Sequence, residues 1–170
     1  MSPTPSTRHL IVSQDLSRLL GNFFDGKPCR VFPVPTGVRL SDSEAVEPDL
    51  MVVCNEKQIV MSHIEGLSDL VIEILSTSSI FHDRIRKLNL YLRSRVPEYW
   101  LNSPYPSSVE VFLLDGEGYR LDSTFARTDT LASLSFPGLA IDLATVFDFP
   151  VEPGEEAAFV REGRPAYGAV

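Results

Sequence analysis

Two acidic residues stand where burial makes a charge expensive. Asp49 leads into Leu50-Met51-Val52-Val53, and Glu73 interrupts the apolar run Val71-Ile72-Glu73-Ile74-Leu75. A carboxylate in such a run must be paired or hold a metal, because an unpaired one is costly to bury. A lysine, Lys87, follows on the next predicted helix. Two carboxylates and a lysine are the set that metal-assisted phosphodiester cleavage uses. Each residue also has a plainer reading. Glu73 alone reads as a core-edge carboxylate paired with an arginine. Asp49 after Pro48 reads as a turn residue. Lys87 alone reads as half of an exposed Asp–Lys pair.

The helix carries more than Lys87. Asp83, Lys87 and Tyr91 are spaced by four and share one stripe. Arg84, Arg86, Arg93 and Arg95 complete a segment with five of the chain's 15 basic residues and one acid. On a chain of net charge −8 this is a place for a phosphate backbone to dock, through Arg84 and Arg86 first. The plainer reading is a solvated charged face. His9, His63 and His82 have no metal-site spacing and read as surface or capping histidines. No glycine-rich phosphate loop and no Gly-x-Ser-x-Gly elbow occur, which argues against nucleoside-triphosphate chemistry and serine hydrolysis.

The elements that must position these residues follow from periodicity. Leu10 to Phe23 recur at helical spacing, and Gly26 and Pro28 end that helix near Asp25. Cys29–Phe32 and Gly37–Leu40 read as short strands around a proline turn, and acidic, polar residues 41–47 lead from them into Pro48. Leu50–Cys54 and Leu70–Leu75 are short, branched and apolar, as central strands are. A strand at Ile59–Met61 lies in the loop between them. Alternation puts Asp69, Val71, Glu73 and Leu75 on one strand face. The next helix runs from Ile80 to about Arg95, with Phe81, Ile85, Leu88 and Leu92 as its apolar stripe. Tyr99–Leu101 is a third core strand. Val109–Leu114 and Tyr119–Ser123 form a hairpin around Asp115-Gly116-Glu117-Gly118. Thr130–Ser135 is a further strand, and Asp142 caps a short helix through Phe147. Apolar periodicity fades after residue 149, which predicts a flexible tail over 150–170. Interleaved helices and strands predict an α/β fold, a mixed sheet with helices packed on it.

With 170 residues and 44% hydrophobic content, one domain with one core is expected. The acidic balance argues against a general nucleic-acid coat protein but not against a local basic site. Cys29 and Cys54 have no zinc-type neighbours, so reduced thiols in a cytoplasmic protein are expected. No stretch approaches transmembrane length, so no membrane partner is expected.

Four motifs in order, VEPDLMVV, DLVIEILS, DRIRKLNLYLRSRVPEYW and FPGLAIDL, resemble the Uma-two family of endonucleases in the PD-(D/E)xK superfamily. The resemblance covers roughly residues 8–148. It implies a restriction-endonuclease-like fold over residues 1–149, a mixed central sheet flanked by helices with magnesium (or manganese) at one end. It matches Asp49 to the acid of the Pro-Asp motif and Glu73 to the second acid. The lysine that the superfamily places two residues later is Leu75 here, and Lys87 matches the position to which this family moves it. Asp83 and Tyr91 match the same helix pattern, and with His9 they are the auxiliary candidates.

Three departures accompany the match. An N-terminal segment usual in the family, with an acid and a strand, has no counterpart ahead of residue 1. Ser68 and Ser103 replace a usual proline and aspartate, which reads as turn chemistry. The resemblance implies hydrolysis of DNA, with Asp49, Glu73 and the Ile74 carbonyl on the metal and Lys87 acting on water or the developing oxyanion. Cutting two strands predicts a homodimer. The rival reading is an inactive, truncated nuclease-fold module that binds nucleic acid or a protein.

Overall fold

A computed structural model describes residues 5–42, 44–66, 68–76 and 80–150, without the side chains of residues 80–83. The expected tail over 150–170 lies outside the described residues, apart from Pro150. Helix α1 (Thr7–Phe24) starts where the Ser6 side chain accepts the His9 N–H at 3.2 Å, an N-cap that satisfies a free amide. It stops at Asp25, and Gly26 takes φ +69°, a left-handed turn that costs glycine no side-chain clash. Its buried face is His9, Val12, Leu16, Leu20 and Phe24.

Six strands form the main sheet: β1 (Arg30–Pro33), β4 (Leu50–Val53), β6 (Leu70–Ile74), β7 (Glu98–Pro104), β8 (Ser107–Asp115) and β9 (Gly118–Ala126), side by side in that order. Strands β6 and β7 are parallel and joined through helix α2 (Ile80–Arg93), as parallel neighbours require a crossover. The other pairs are antiparallel, so the sheet is mixed. A small sheet of β2 (Val38–Ser41), β3 (Glu44–Val46) and β5 (Ile64–Glu65) and a two-stranded pair of β10 (Thr130–Ala132) and β11 (Ala140–Asp142) flank it. A short helix, α3 (Leu143–Val146), is capped by Asp142 as expected.

Alternation gives the central strands two buried faces. Leu50, Val52, Leu70, Ile72 and Trp100 pack with Val12, Leu16 and Leu20 of α1 and with Val146 and Phe147. Met51, Val53, Val71, Tyr99 and Leu101 pack with Leu90 and Tyr91 of α2 and with Val38 and Ile64 of the small sheet. Runs such as Leu-Met-Val-Val are apolar throughout because both sides are covered. A third acid, Glu98, lies fully buried in β7, where it accepts Trp100 Nε1 at 2.7 Å, Ser133 Oγ at 3.0 Å and the Ser135 N–H at 2.8 Å. Its bonds join β7 to the loop after β10, a structural task.

Four expectations need correction. Strand β3 forms in the acidic stretch, where no strand is expected, because it pairs antiparallel with β2. The strand after the 3-10 turn Glu56–Gln58 is Ile64–Glu65, and Ile59 only bridges to Ile64. On helix α2 Ile85 of the expected stripe is 49% exposed, Leu88 packs partly buried against the core, and the side chain of Phe81 lies outside the described residues. Among the described side chains Leu90 and Tyr91 are the buried ones, so the Lys87–Tyr91 side faces the sheet.

The cysteines are the fourth correction. Cys29 and Cys54 form a disulfide with Cα atoms 3.8 Å apart. The β1–β4 register pairs Arg30 with Val53, so the next residues out face each other across the strands. Closing a loop over a separation of 25 residues should stabilise the fold by about 3 kcal/mol. Cys54→Ser is expected to melt roughly 10 °C below the oxidised parent. Equal melting of the two by circular dichroism would refute a stabilising role. Among the described residues no helix is long and apolar enough to cross a membrane.

Candidate active site

The site lies at one end of the sheet, where β4 begins and β6 ends. Leu50 pairs with Ile72 and Met51 with Val71, so Asp49, one residue ahead of β4, stands opposite Glu73. Both acids point to the face that α2 covers, the side of Met51 and Val71. Both oxygens of each carboxylate have a partner. Asp49 Oδ2 accepts the Ile74 N–H at 2.8 Å, and Asp49 Oδ1 lies 3.2 Å from His9 Nε2. Glu73 Oε2 accepts Lys87 Nζ at 2.5 Å, and Glu73 Oε1 accepts the Tyr91 hydroxyl at 2.5 Å. The two donors sit one turn apart on α2, so a single helix face holds Glu73 from two sides.

Electrostatics separates the two acids. Burial pushes the Asp49 carboxyl up, but the hydrogen bonds from His9 and the Ile74 N–H outweigh it and hold it below the usual range. Glu73 is 1% exposed, and burial drives its carboxyl up to about 7. The Lys87 ammonium pulls against that rise, and the Asp49 charge adds to it. Glu73 in its protonated form can hydrogen-bond Asp49. Burial, then the charge of Glu73, lifts the Tyr91 phenol far above its usual range, so it remains a donor. One carboxylate held ionised beside another poised near neutrality is the pattern of acid pairs at functional sites.

Among the described residues no group of three or more His, Cys, Asp or Glu side chains is placed to hold a metal. The donors on hand are the two carboxylates of Asp49 and Glu73. That set suits a hard divalent cation, which takes oxygen ligands and can be held by one or two carboxylates with waters completing its shell. A divalent cation would also relieve the repulsion that Asp49 exerts on Glu73. The residues present therefore fit such an ion, and among the described residues nothing offers a soft thiolate set.

Arg84 Nη2 lies 2.7 Å from Glu110 of β8, and Arg93 Nη2 lies 3.3 Å from Glu44 of β3. Arg95 donates to the Gly116 carbonyl at 3.2 Å. Much of the positive charge of this segment is thus matched by other elements. Arg86 is exposed on the same helix. The side chain of Asp83 lies outside the described residues. His63 is bonded to Ser62 and Glu65 near the surface, as expected. His9 is not a surface or capping residue, since its ring is buried against Asp49. Ser103 closes a turn onto the Tyr105 carbonyl at 2.7 Å.

Asn102 was not anticipated. It is fully buried in β7 and donates to the Glu73 carbonyl at 3.4 Å, which ties the two parallel strands beside the acids. An asparagine ending the apolar run Tyr99-Trp100-Leu101 was its signal.

A family model described as "Uma2: Putative restriction endonuclease" matches residues 1–144. A Synechocystis protein described as "Uncharacterized protein slr1290" is 24% identical over 144 residues, which is 84% of this chain and 75% of that one. A crystal structure from Anabaena variabilis, described as a "putative nuclease belonging to DUF820", is similar with a TM-score of 0.69. It is 17% identical and the match covers 85% of this chain and 83% of that one. At that identity the likeness carries the fold alone, a mixed α/β sheet flanked by helices.

Proposed function

This chain belongs to the Uma2 family, and from that premise we propose that it is a divalent-metal-dependent endonuclease that hydrolyses phosphodiester bonds in DNA. One observation carries the reading: Asp49 and Glu73 oppose each other on adjacent strands while Lys87 holds Glu73. Asp49, Glu73 and the Ile74 carbonyl would hold magnesium or manganese. Such an ion, when bound, supplies charge against the phosphate and makes a water more acidic.

The chain's own residues do the rest. Tyr91 keeps one Glu73 oxygen anchored, which fixes the carboxylate while the other oxygen exchanges partners. Lys87 is 26% exposed through its side chain, so its ammonium can leave Glu73 and meet the developing oxyanion. Arg84 and Arg86, each by exchanging a present partner for a phosphate, would dock the DNA backbone. Two copies would present two sites to the two strands, and light scattering at micromolar concentration should give the mass of a dimer. A monomer there would remove the homodimer from the proposal. The same reading puts the protein in the cytoplasm with its substrate, where the Cys29–Cys54 pair meets a reducing environment.

The rival reading, an inactive module that binds nucleic acid or a protein, is favoured by one feature. Every oxygen of the two acids already has a partner within the chain. Nicking of supercoiled plasmid separates the two. Conversion to open circles with magnesium or manganese, stopped by a chelator and absent in Glu73→Gln, supports the nuclease. Calorimetric metal binding without nicking supports the inactive module.

A further inference from the structure

We propose that His9 is a positioning residue of the metal centre, holding the Asp49 carboxylate in its working orientation through Nε2. The inference rests on the nuclease reading and adds a residue that metal-site chemistry alone does not demand. His9 occupies the first position of the stripe His9, Val12, Leu16, Leu20 and Phe24, where every other member is apolar. A polar ring at a core position is disfavoured unless bonded. Its ring has one partner among the described residues, Asp49 Oδ1 at 3.2 Å, while its Nδ1 is buried without a hydrogen bond there. The tautomer that bonds Asp49 therefore carries its hydrogen on Nε2.

The ring is itself held in place. Ser6 accepts the His9 N–H and sets the first turn of α1. The neighbouring Arg8 donates to the Pro150 carbonyl at 2.8 Å and lies 4.8 Å from the Phe149 ring centroid. The first turn of α1 is thus capped by Ser6 and tied through Arg8 to Phe149 and Pro150. With the Ile74 N–H on Oδ2 and His9 on Oδ1, the Asp49 carboxylate is fixed by two donors. Each oxygen keeps a second lone pair, and those are what a cation or Glu73 can use. Groups of this kind, which orient a ligand without touching the metal, set affinity because they remove the cost of ordering it.

Glutamine can place an amide N–H close to the imidazole Nε2, whereas asparagine reproduces Nδ1. Calorimetric titration with manganese should therefore give His9→Gln an affinity within a few-fold of the parent. His9→Asn and His9→Leu should bind about 10- to 100-fold more weakly. The linewidth of bound manganese in electron paramagnetic resonance should broaden in the two weak variants. Thermal melts without metal report folding, and leucine at this apolar stripe should fold. Equal affinity in parent and His9→Leu would overturn the role of His9 alone. Rescue by asparagine and not glutamine would overturn the Nε2 assignment. A parent that takes up no manganese would overturn the metal reading itself, and this role with it.

Discussion

Glu73→Gln is expected to melt several degrees above the parent at pH 8 in the absence of metal, and to lose all stabilisation by magnesium. Folding takes the Glu73 carboxyl from an ordinary value of 4.5 up to about 7. A group raised in the folded state contributes stability that is complete below its unfolded value and is lost as pH rises through its folded value. The contribution is therefore present below about pH 4.5 and gone above about pH 7. A shift of that size corresponds to roughly 3 kcal/mol. Glutamine keeps the shape and never ionises, and Tyr91 can still donate to its oxygen. Lys87 loses its partner but can turn to water, so a net gain of about 1–2 kcal/mol at pH 8 remains. That corresponds to several degrees for a chain of this size.

Asp49 has the opposite sign. Its lowered carboxyl contributes stability at neutral pH that is lost in acid, and this slope should persist in the variant. Melts between pH 5 and 8 in a chelator test the claim. Parallel pH profiles for the two proteins would show that Glu73 is not the group responsible. Magnesium added to the parent should raise its melting point by mass action, and added to the variant should do nothing.

The positions of the two acids were legible because burial leaves a mark in sequence. An aspartate at the head of Leu-Met-Val-Val and a glutamate inside Val-Ile-Glu-Ile break an apolar pattern, which marks each as a paired or metal-holding group, although Glu98 shows that a buried acid can serve structure alone. Lys87 was legible through the resemblance, since spacing alone could not exclude an exposed Asp–Lys pair. The inward face of α2 was misread because the helix carries apolar residues on more than one side. Ile85 fits a core stripe by periodicity, yet it stands half exposed, while Lys87 and Tyr91 turn inward to Glu73. His9 has two readings in the sequence, a surface or capping histidine and an auxiliary site residue, and its burial beside Asp49 removes the first. The disulfide was beyond reach, because it depends on the register of β1 against β4, and no residue pattern in so short a strand fixes register. Strand β3 escaped for a similar reason: three residues with little apolar content become a strand only when β2 lies beside them.

Lys87→Met should abolish cleavage, by about 100-fold or more, and should do so under conditions that restore everything else. The loss alone would be ambiguous, because Lys87 has two tasks at once. It is the cation that restrains the rise of the Glu73 carboxyl, and without it burial and Asp49 act unopposed. Breaking a buried pair commonly costs about 3–5 kcal/mol when a charge is stranded. Glu73 escapes most of that cost by taking a proton, and the methionine stem fills the space of the lysine stem. Folding at pH 7 should therefore survive. An incoming ion would have to displace the proton first, so affinity should fall at pH 7 and recover at pH 9. Cleavage measured at pH 9 with saturating manganese removes this effect and leaves the second task, charge stabilisation beside the reacting phosphate. Removal of one such donor costs about 100- to 1000-fold. If cleavage by Lys87→Met instead returns to the parent level at pH 9, the lysine serves only to keep Glu73 ionised, and another cation must face the phosphate.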